Sequence, residues 1–519
     1  MWQTIWQKTW QKTWQKIWQK IWQKTWRKTL VVCLTGCCWL CWNQPSLAAT
    51  LSNEAKVFHV LNRLGFGASP SSLEQVRSIG VEAYIQAQLH PSSIPESAIL
   101  IDRLQQFETL QLSPTELLQQ YRVLPTEVVE SNANFKGLTP LDQATQAKLL
   151  RAISSPRQLE EVMVDFWYNH FNVASDKGLA RYWVGVYERD AIRPYVFGKF
   201  RDLLGATAKH PAMLFYLDNW VNGISPRAAR RGELDEVNEN YAREVMELHT
   251  MGVGSGYTEQ DVITLARIFT GWGFCQPRQF EDPNFCFNPK RHDPSNKIFL
   301  GTSIPGGGME EGERALDILA RHPATARYIS DRLAQYFVAD RPPESLVNRM
   351  AQTFQDTNGE IRAVLNTLFD SPEFWDPQVV GHKFKSPYQF MVAAVRSSGM
   401  DVKNARPIGS ILQQLGMRLY GCPSPDGYKN TQDVWLSPYA ITRRLDWVAV
   451  LATGRLPLTV DPPPLGERAT RIERTPLAYQ PLLDLLGSTL STETQQLIEA
   501  SPPRLRAAAV LGSPELMYR

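Results

Sequence analysis

Apolar residues recur at helical spacing through most of the chain, and this periodicity constrains the fold more than any other feature of the sequence. Apolar positions three and four residues apart are typical of a helix that buries one face. Five of the helix starts carry Pro directly after a polar residue, a common first turn. The pattern predicts helices over twelve ranges: 54–65, 73–90, 99–122, 143–168, 190–217, 238–251, 259–273, 313–338, 344–370, 386–399, 407–420 and 438–454.

Strand signals are nearly absent, since the only candidate for alternating burial is the short run from Lys297 to Leu300. Irregular segments are expected at 123–142, 221–237, 274–312 and 421–436. We therefore predict an all-α architecture with long irregular loops and little or no β-structure, built as one large helical domain or two packed helical subdomains. The predicted division is a leader over 1–48, a helical domain over 49–455, and a Pro-rich linker with C-terminal helices over 456–519.

The net charge of +3 is concentrated in the leader. Residues 1–48 contain seven Lys and Arg and no acidic residue. Removing these seven from the 55 basic residues leaves 48 against 52 acidic ones, a net charge of −4. Because nucleic-acid binding needs a basic excess, we expect no nucleic-acid partner for the body of the chain.

The leader begins with a Trp-Gln-Lys-Thr/Ile motif repeated every four residues from Met1 to Lys28. As a helix this repeat would be amphipathic and could anchor at a membrane interface. We favour the alternative that the repeat lengthens the basic start of a signal peptide. The apolar stretch Leu30–Trp42 has the length of a signal-peptide core and is too short to span a bilayer.

Small residues at Ser46 and Ala48 fit a cleavage site before Ala49. The sequence thus predicts export to the periplasm or the extracellular space, with membrane contact only through the leader. A rival prediction comes from Leu34-Thr35-Gly36-Cys37, which looks like a lipobox. In that case the protein would be a lipoprotein anchored through Cys37.

Three cysteines lie outside the leader, at 275, 286 and 422. Cys275 and Cys286 flank a short Pro-rich loop, and an oxidising compartment would favour a disulfide between them. The alternative is a pair of unbonded buried thiols, because spacing alone does not establish disulfide geometry.

Standard catalytic motifs such as G-x-S-x-G, H-E-x-x-H and the P-loop are absent from the sequence. The most polar helical stretch is 238–251, in which Asn240, Glu244 and Glu247 would share one helix face beside Arg243. Such a face could bind a divalent metal or a polyhydroxylated ligand, or it could be a solvated face with weak ion pairs. His249 falls on the apolar stripe and is predicted to be a core histidine.

This polar stretch and several motifs elsewhere resemble a bacterial family known only as domain of unknown function 1800. The residues that carry the resemblance are Arg63-Leu64-Gly65-Phe66-Gly67, Trp167-Tyr168-Asn169-His170-Phe171, His210-Pro211-Ala212-Met213-Leu214, Leu217-Asp218-Asn219, Asn238 to Val253, Leu265-Ala266-Arg267, Thr270-Gly271-Trp272, His292-Asp293, His322-Pro323-Ala324-Thr325-Ala326-Arg327, Ser371-Pro372-Glu373-Phe374 and Pro425-Asp426-Gly427-Tyr428. The resemblance runs from about Val57 to about Arg455. It implies an exported protein, often encoded beside an exported alkaline-phosphatase-like protein that is a candidate partner, and it implies no established reaction.

Two hypotheses follow. In the first, the chain is an exported cell-envelope scaffold or binding protein whose polar residues form a buried hydrogen-bond network. In the second, it is an envelope hydrolase or lyase that acts on a glycan-like polymer through a carboxylate and histidine site. The candidate catalytic residues are Glu244, Asn240, His170 and Asp218, and the candidate binding residues are Glu247, Arg243, His292 and Asp293. The sequence leaves the metal unidentified, although a divalent ion would suit these ligands.

Overall fold

The computed structural model describes residues 51–121, 138–224, 237–275, 285–461 and 474–519. In these ranges it contains 23 α-helices and only four short strands, which confirms the predicted all-α fold class. The leader, Cys37 and the cleavage site before Ala49 lie outside the described residues. Within the described ranges, no helix combines the length and the apolar character needed to cross a bilayer.

Twelve helices precede the strands. They are α1 (Asn53–Arg63), α2 (Pro70–Ile79), α3 (Val81–Leu89), α4 (Ala98–Gln105), α5 (Pro114–Tyr121), α6 (Pro140–Ser154), α7 (Gln158–His170), α8 (Ala180–Tyr187), α9 (Phe200–Lys209), α10 (Pro211–Tyr216), α11 (Asn240–Glu244) and α12 (Glu259–Ile268). Two π-helical turns continue earlier helices, Glu188–Ile192 after α8 and Val245–Thr250 after α11.

Eleven helices follow the strands. They are α13 (Met309–Arg321), α14 (Pro323–Phe337), α15 (Glu344–Asp356), α16 (Ile361–Phe369), α17 (Pro387–Ser397), α18 (Arg406–Gln414), α19 (Gln432–Trp435), α20 (Pro438–Ala452), α21 (Tyr479–Leu486), α22 (Thr492–Ala500) and α23 (Pro503–Leu511).

Several ranges predicted as one helix are two helices in the structure, and His-Pro pairs explain two of these breaks. Pro323 begins α14, and the Nδ1 atom of His322 accepts a hydrogen bond from the Ala324 N–H at 3.1 Å. His210 caps α10 in the same way through the Ala212 N–H. Because proline donates no backbone hydrogen bond, the preceding helix ends and a capped one begins.

Two antiparallel hairpins are the only sheet structure in the described residues. Strands β1 (Trp272–Phe274) and β2 (Phe285–Phe287) pair with Gly273 opposite Cys286, while β3 (Lys297–Phe299) pairs with β4 (Thr302–Ile304). Cys275 follows β1 and is joined to Cys286 by a disulfide, with their Cα atoms 5.2 Å apart. The sequence suggested only β3, because three-residue strands carry almost no alternation.

The core surrounds α17, in which all eleven residues are buried. This helix packs against α6, and α7 contributes the fully buried Trp167. Residues 51–519 form one compact unit, in which the C-terminal α23 packs on α20. Tyr518 bridges to Phe384 and the Lys385 N–H donates to Met517 O at 2.9 Å. The segment beyond residue 455 thus contributes to the same core as the helices before it.

Candidate functional site

Two of the motifs that carry the family resemblance meet at the C-terminal end of α7. The side chain of Asn169 donates to Tyr428 O at 2.9 Å and accepts from the Tyr428 N–H at 2.8 Å. Three residues further on, Asn172 donates to Cys422 O and Ser424 O at 3.0 and 2.8 Å. Both asparagines therefore fix the 417–430 loop to α7 through its main chain.

Gly427 allows this loop to approach α7 closely. Its φ angle is +70°, in the left-handed region that favours glycine. A Cβ atom added to Gly427 would lie 2.2 Å from the carbonyl oxygen of Asn169. The Pro-Asp-Gly-Tyr motif thus needs glycine here for both its backbone conformation and its packing.

A small cleft, with an accessible volume of about 60 Å³, lies between α7, α14 and the 417–430 loop. Its walls combine amide, aromatic and basic side chains, including Asn169, Gln335, Asn430, Tyr336, Tyr428 and Arg332. His170 is also in the lining, whereas Glu244, Asn240 and Asp218 are not. The cleft therefore contains one of the four predicted catalytic residues.

The floor of the cleft includes a buried ionic network. Lys148 Nζ lies 3.2 Å from both Asp165 Oδ1 and Glu188 Oε2, and the Tyr420 hydroxyl donates to Glu188 at 2.9 Å. Burial raises the pKa of Glu188, but the cations Lys148 and Arg193 outweigh that effect and lower the pKa to about 2. Glu188 is thus ionised and satisfied, as a buried carboxylate must be.

His170 is held in its neutral form. It is buried, and its Nε2 atom lies 3.1 Å from the carbonyl oxygen of His249. Burial lowers the pKa of His170 to about 3, and the nearby His249 contributes to this shift. Burial alone lowers the pKa of His249 to about 3. A group with so low a pKa is a poor proton acceptor at neutral pH.

Asp218 and Asn240 lie next to each other but outside the cleft. Asp218 adopts a left-handed backbone conformation with a φ of +61° and forms an ion pair with Lys177 at 2.7 Å. The Asn240 amide donates to Leu217 O at 3.2 Å, one residue before Asp218. These contacts join α11 to the turn after α10.

The face predicted for 238–251 assumed one continuous α-helix, and the structure corrects this prediction. Regular α-helix covers only Asn240–Glu244, and a π-helical turn begins at Val245. Residues after Glu244 therefore depart from the 3.6-residue period. Arg243 still pairs with Glu247 at 3.7 Å and also with Glu259 at 2.5 Å.

Glu244 is half-buried beside other acids. Burial raises the pKa of Glu244, and the negative charges of Glu247 and Asp426 raise it further, while Arg243 opposes them. Asp426 belongs to the same loop that Asn169 anchors. Glu244 thus lies near the 417–430 loop and one helical turn from Asn240.

His292 and Asp293 belong to a separate buried network. His292 Nε2 lies 2.8 Å from Oε1 of Glu311. The second carboxylate oxygen of Glu311, Oε2, lies 2.6 Å from Lys297 Nζ. Asp293 accepts from Arg267 Nε at 2.7 Å. Burial raises the pKa of Glu311, but hydrogen bonds from His292 and Lys297 outweigh this and lower it to about 2. These contacts join α12, β3 and the start of α13.

Within the described residues, no three His, Cys, Asp or Glu side chains stand close enough together to hold a metal ion. The sequence reasoning missed the polar residues that line or support the cleft, among them Lys148, Glu188, Arg332 and Tyr420. Lys148 and Glu188 are charged residues within otherwise apolar stretches of sequence. A charged residue in such a stretch is the only feature of the local sequence that indicates a buried ionic pair.

A family model for proteins of unknown function, DUF1800, matches residues 59–518. The chain belongs to the DUF1800 family. The DUF1800 match confirms the resemblance and extends it past Arg455, through the C-terminal helices. No curated protein and no solved structure matches this DUF1800 chain.

Proposed function

We propose that this DUF1800 protein is an exported cell-envelope protein that binds a segment of a hydroxyl-rich envelope polymer, such as a glycan, in the cleft between α7, α14 and the 417–430 loop. The observation that carries the proposal is that Asn169, which lines the cleft, fixes the facing loop with two hydrogen bonds to the main chain of Tyr428.

The lining of the cleft suits a neutral polar ligand. The amide of Asn430 offers both donors and acceptors to hydroxyl groups, and that of Gln335 keeps one N–H beyond its bond to Asp340 O. Tyr336 and Tyr428 offer aromatic surface, and the guanidinium group of Arg332 can donate several hydrogen bonds. A concave site with apolar surface and a few convergent polar groups is the usual form of a small-ligand site.

The histidine in the cleft is unsuited to proton transfer at neutral pH. The pKa of His170 is about 3, so His170 stays neutral there, whereas burial raises the pKa of Asp165, which also lines the cleft. Efficient general acid–base catalysis requires a pKa near the working pH.

A pull-down with purified, insoluble envelope glycan tests the proposal. We expect the wild-type protein to sediment with the glycan and Arg332→Ala to remain in the supernatant. Arg327→Ala is the matched control, because Arg327 lies on the same helix but is exposed and pairs with Glu344. Equal sedimentation of both variants would contradict the proposal.

One observation favours the second candidate function, an envelope hydrolase or lyase. A half-buried carboxylate with a raised pKa beside other acids is a pattern found in general acids, and Glu244 shows it. This function predicts release of new reducing ends from glycan by the wild-type protein and no release by Glu244→Gln. Absence of release by the wild-type protein would reject it.

We also propose export with cleavage near Ala49, supported by the signal-peptide pattern of the leader. Mass spectrometry of the mature N-terminus tests this proposal, and a lipidated Cys37 would contradict it.

An exported alkaline-phosphatase-like protein remains a proposed partner, to be tested by co-purification of the two proteins from the envelope fraction.

A further inference from the structure

A second cavity lies between α1, the segment 380–385 and the C-terminal segment 486–519. Its accessible volume is about 290 Å³. His59, Lys385, Glu515, Tyr518 and Arg519 are among the residues that line it. None of these residues belongs to the cleft described above.

Basic side chains are concentrated at this cavity and directly behind it. Each is no more than 3% exposed, although Arg and Lys are almost never fully buried without a partner. They come from α1, the segment before α17, α20 and the C-terminal segment: Arg63, Lys383, Lys385, Arg444 and Arg519. We call this set the basic cluster.

Most of the hydrogen bonds of the basic cluster go to main-chain carbonyl groups. Lys385 Nζ donates to Leu516 O and Tyr518 O at 2.9 and 2.6 Å. Arg519 donates to Tyr336 O at 2.7 Å, and its guanidinium lies 4.4 Å from the centre of the Tyr336 ring. Such contacts satisfy donors without neutralising the positive charge.

Other donors of the cluster have no hydrogen-bond partner among the described residues. The Nε and Nη1 atoms of Arg63, the same two atoms of Arg444, and Nε of Arg519 are buried and unpaired. Burying an unpaired charged donor is costly, which makes an additional acceptor favourable. Of these three residues only Arg519 lines the cavity, so its Nε atom is the unpaired donor that a bound anion could reach.

Acidic residues offset only part of this charge. In the described chain, the one side-chain ion pair of the cluster joins Lys383 to Asp340 at 2.6 Å. Glu515 lines the cavity, but its Oε1 atom accepts from the Ser491 N–H and the Thr494 hydroxyl. Glu54 also lines the cavity, so five basic side chains face three carboxylates, those of Asp340, Glu515 and Glu54.

The pKa values reflect this imbalance. Burial lowers the pKa of Lys385 well below its usual range, and the charges of Arg519, Arg63 and Arg444 lower it further. Burial and Arg519 also lower the pKa of Lys383 to about 7, despite its ion pair with Asp340.

We propose that this cavity binds a tetrahedral oxyanion, either free phosphate or sulfate or the phosphoryl group of a small organic ester, with Lys385 and Arg519 as its charged ligands. The two side chains reach the cavity from different segments of the chain. A guanidinium and an ammonium group together supply the charge and the multiple donors that such an anion takes.

The unfolding midpoint of the purified full chain tests the site, with sodium sulfate and sodium phosphate compared with sodium chloride at equal ionic strength. A ligand that binds only the folded state raises the midpoint in a saturable way. We expect a rise of about 2–4 °C in sulfate or phosphate beyond that in chloride. The same rise in all three salts would overturn the proposal.

Variants at Lys385 make the test specific. Lys385→Met should lose the saturable rise, whereas Lys385→Arg should retain it. The control Lys290→Met removes an exposed lysine and should behave as wild type. Retention of the full rise by Lys385→Met would overturn the proposal.

Direct titration of the wild-type protein by calorimetry covers the case in which Lys385→Met does not fold. We expect saturable binding of phosphate with about one site per chain. No saturable binding would overturn the proposal. Tighter binding of glycerol phosphate than of phosphate would support the site and assign an organic ester as its ligand; the reverse order would support it and assign the free anion.

Discussion

Asn169 and Tyr428 are 259 residues apart in the sequence, yet the amide of one forms two hydrogen bonds with the main chain of the other. This pair joins the Trp-Tyr-Asn-His-Phe motif of α7 to the Pro-Asp-Gly-Tyr motif of the 417–430 loop. Both motifs can therefore be explained as one structural unit that forms a wall of the cleft.

Replacement of Asn169 by Ala should destabilise the protein by about 1–3 kcal/mol, because two main-chain groups of Tyr428 lose their partners. Urea unfolding would measure the loss. Asn348→Ala serves as the control, since Asn348 is exposed and contacts only a surface arginine in the structure described here. Equal stability of the two variants would show that the Asn169 pair is not required.

Gly427→Ala should lower the free energy of unfolding by at least about 2 kcal/mol. The added Cβ is disfavoured by the left-handed backbone and would also clash with Asn169 O. Gly416→Ala tests the backbone effect alone. Its φ is +80° but nothing lies within 4 Å of the added Cβ, so we expect the free energy of unfolding to fall by about 1 kcal/mol. Denaturant melts of both variants would separate the two effects, and a loss no larger for Gly427→Ala would argue against the close approach.

Glu311→Gln should destabilise the protein by about 3–5 kcal/mol at neutral pH, because it leaves the buried Lys297 without its carboxylate. The pKa of Glu311 is lowered from 4.5 to about 2, so its contribution to stability is present above pH 4.5 and is lost as the pH falls towards 2. The stability difference between wild type and variant should therefore shrink across that window in pH-dependent melts. A difference that did not change with pH would contradict this account.

Glu244→Gln should leave stability at neutral pH unchanged or slightly increased. Burial and the neighbouring Glu247 and Asp426 raise the pKa of Glu244. A raised carboxylate pKa contributes stability below about pH 4.5, and this contribution is lost as the pH rises through the folded-state pKa. Thermal melts with the exposed Glu310→Gln as control would show the effect, and a large loss of stability would instead indicate a structural ion pair.

Local sequence was sufficient for the fold class, because helical periodicity and proline positions are local properties. His322-Pro323 was recognisable as a helix start, and the structure places the start of α14 there. The same dipeptide also ends α13, so the range 313–338 is two helices. Helix α8 was not predicted, because a helix of eight residues between loops has too few apolar positions to establish a helical period.

The cleft could not be predicted, because its walls depend on contacts across long stretches of sequence. Nothing local indicates that Asn169 and Tyr428 meet, or that Lys148 pairs with Glu188. The predicted face of Asn240, Glu244 and Glu247 depended on regular helix geometry, which the π-helical turn from Val245 interrupts. Such turns follow from tertiary packing rather than from helix propensity.

Calorimetric titration of soluble envelope-glycan fragments into the purified protein, followed by mass spectrometry of the recovered fragments, tests the binding function most directly. We predict saturable binding that weakens about tenfold or more in Arg332→Ala, a loss of at least about 1.4 kcal/mol, with the fragments recovered intact. No saturable binding, or fragments recovered in cleaved form, would contradict the account.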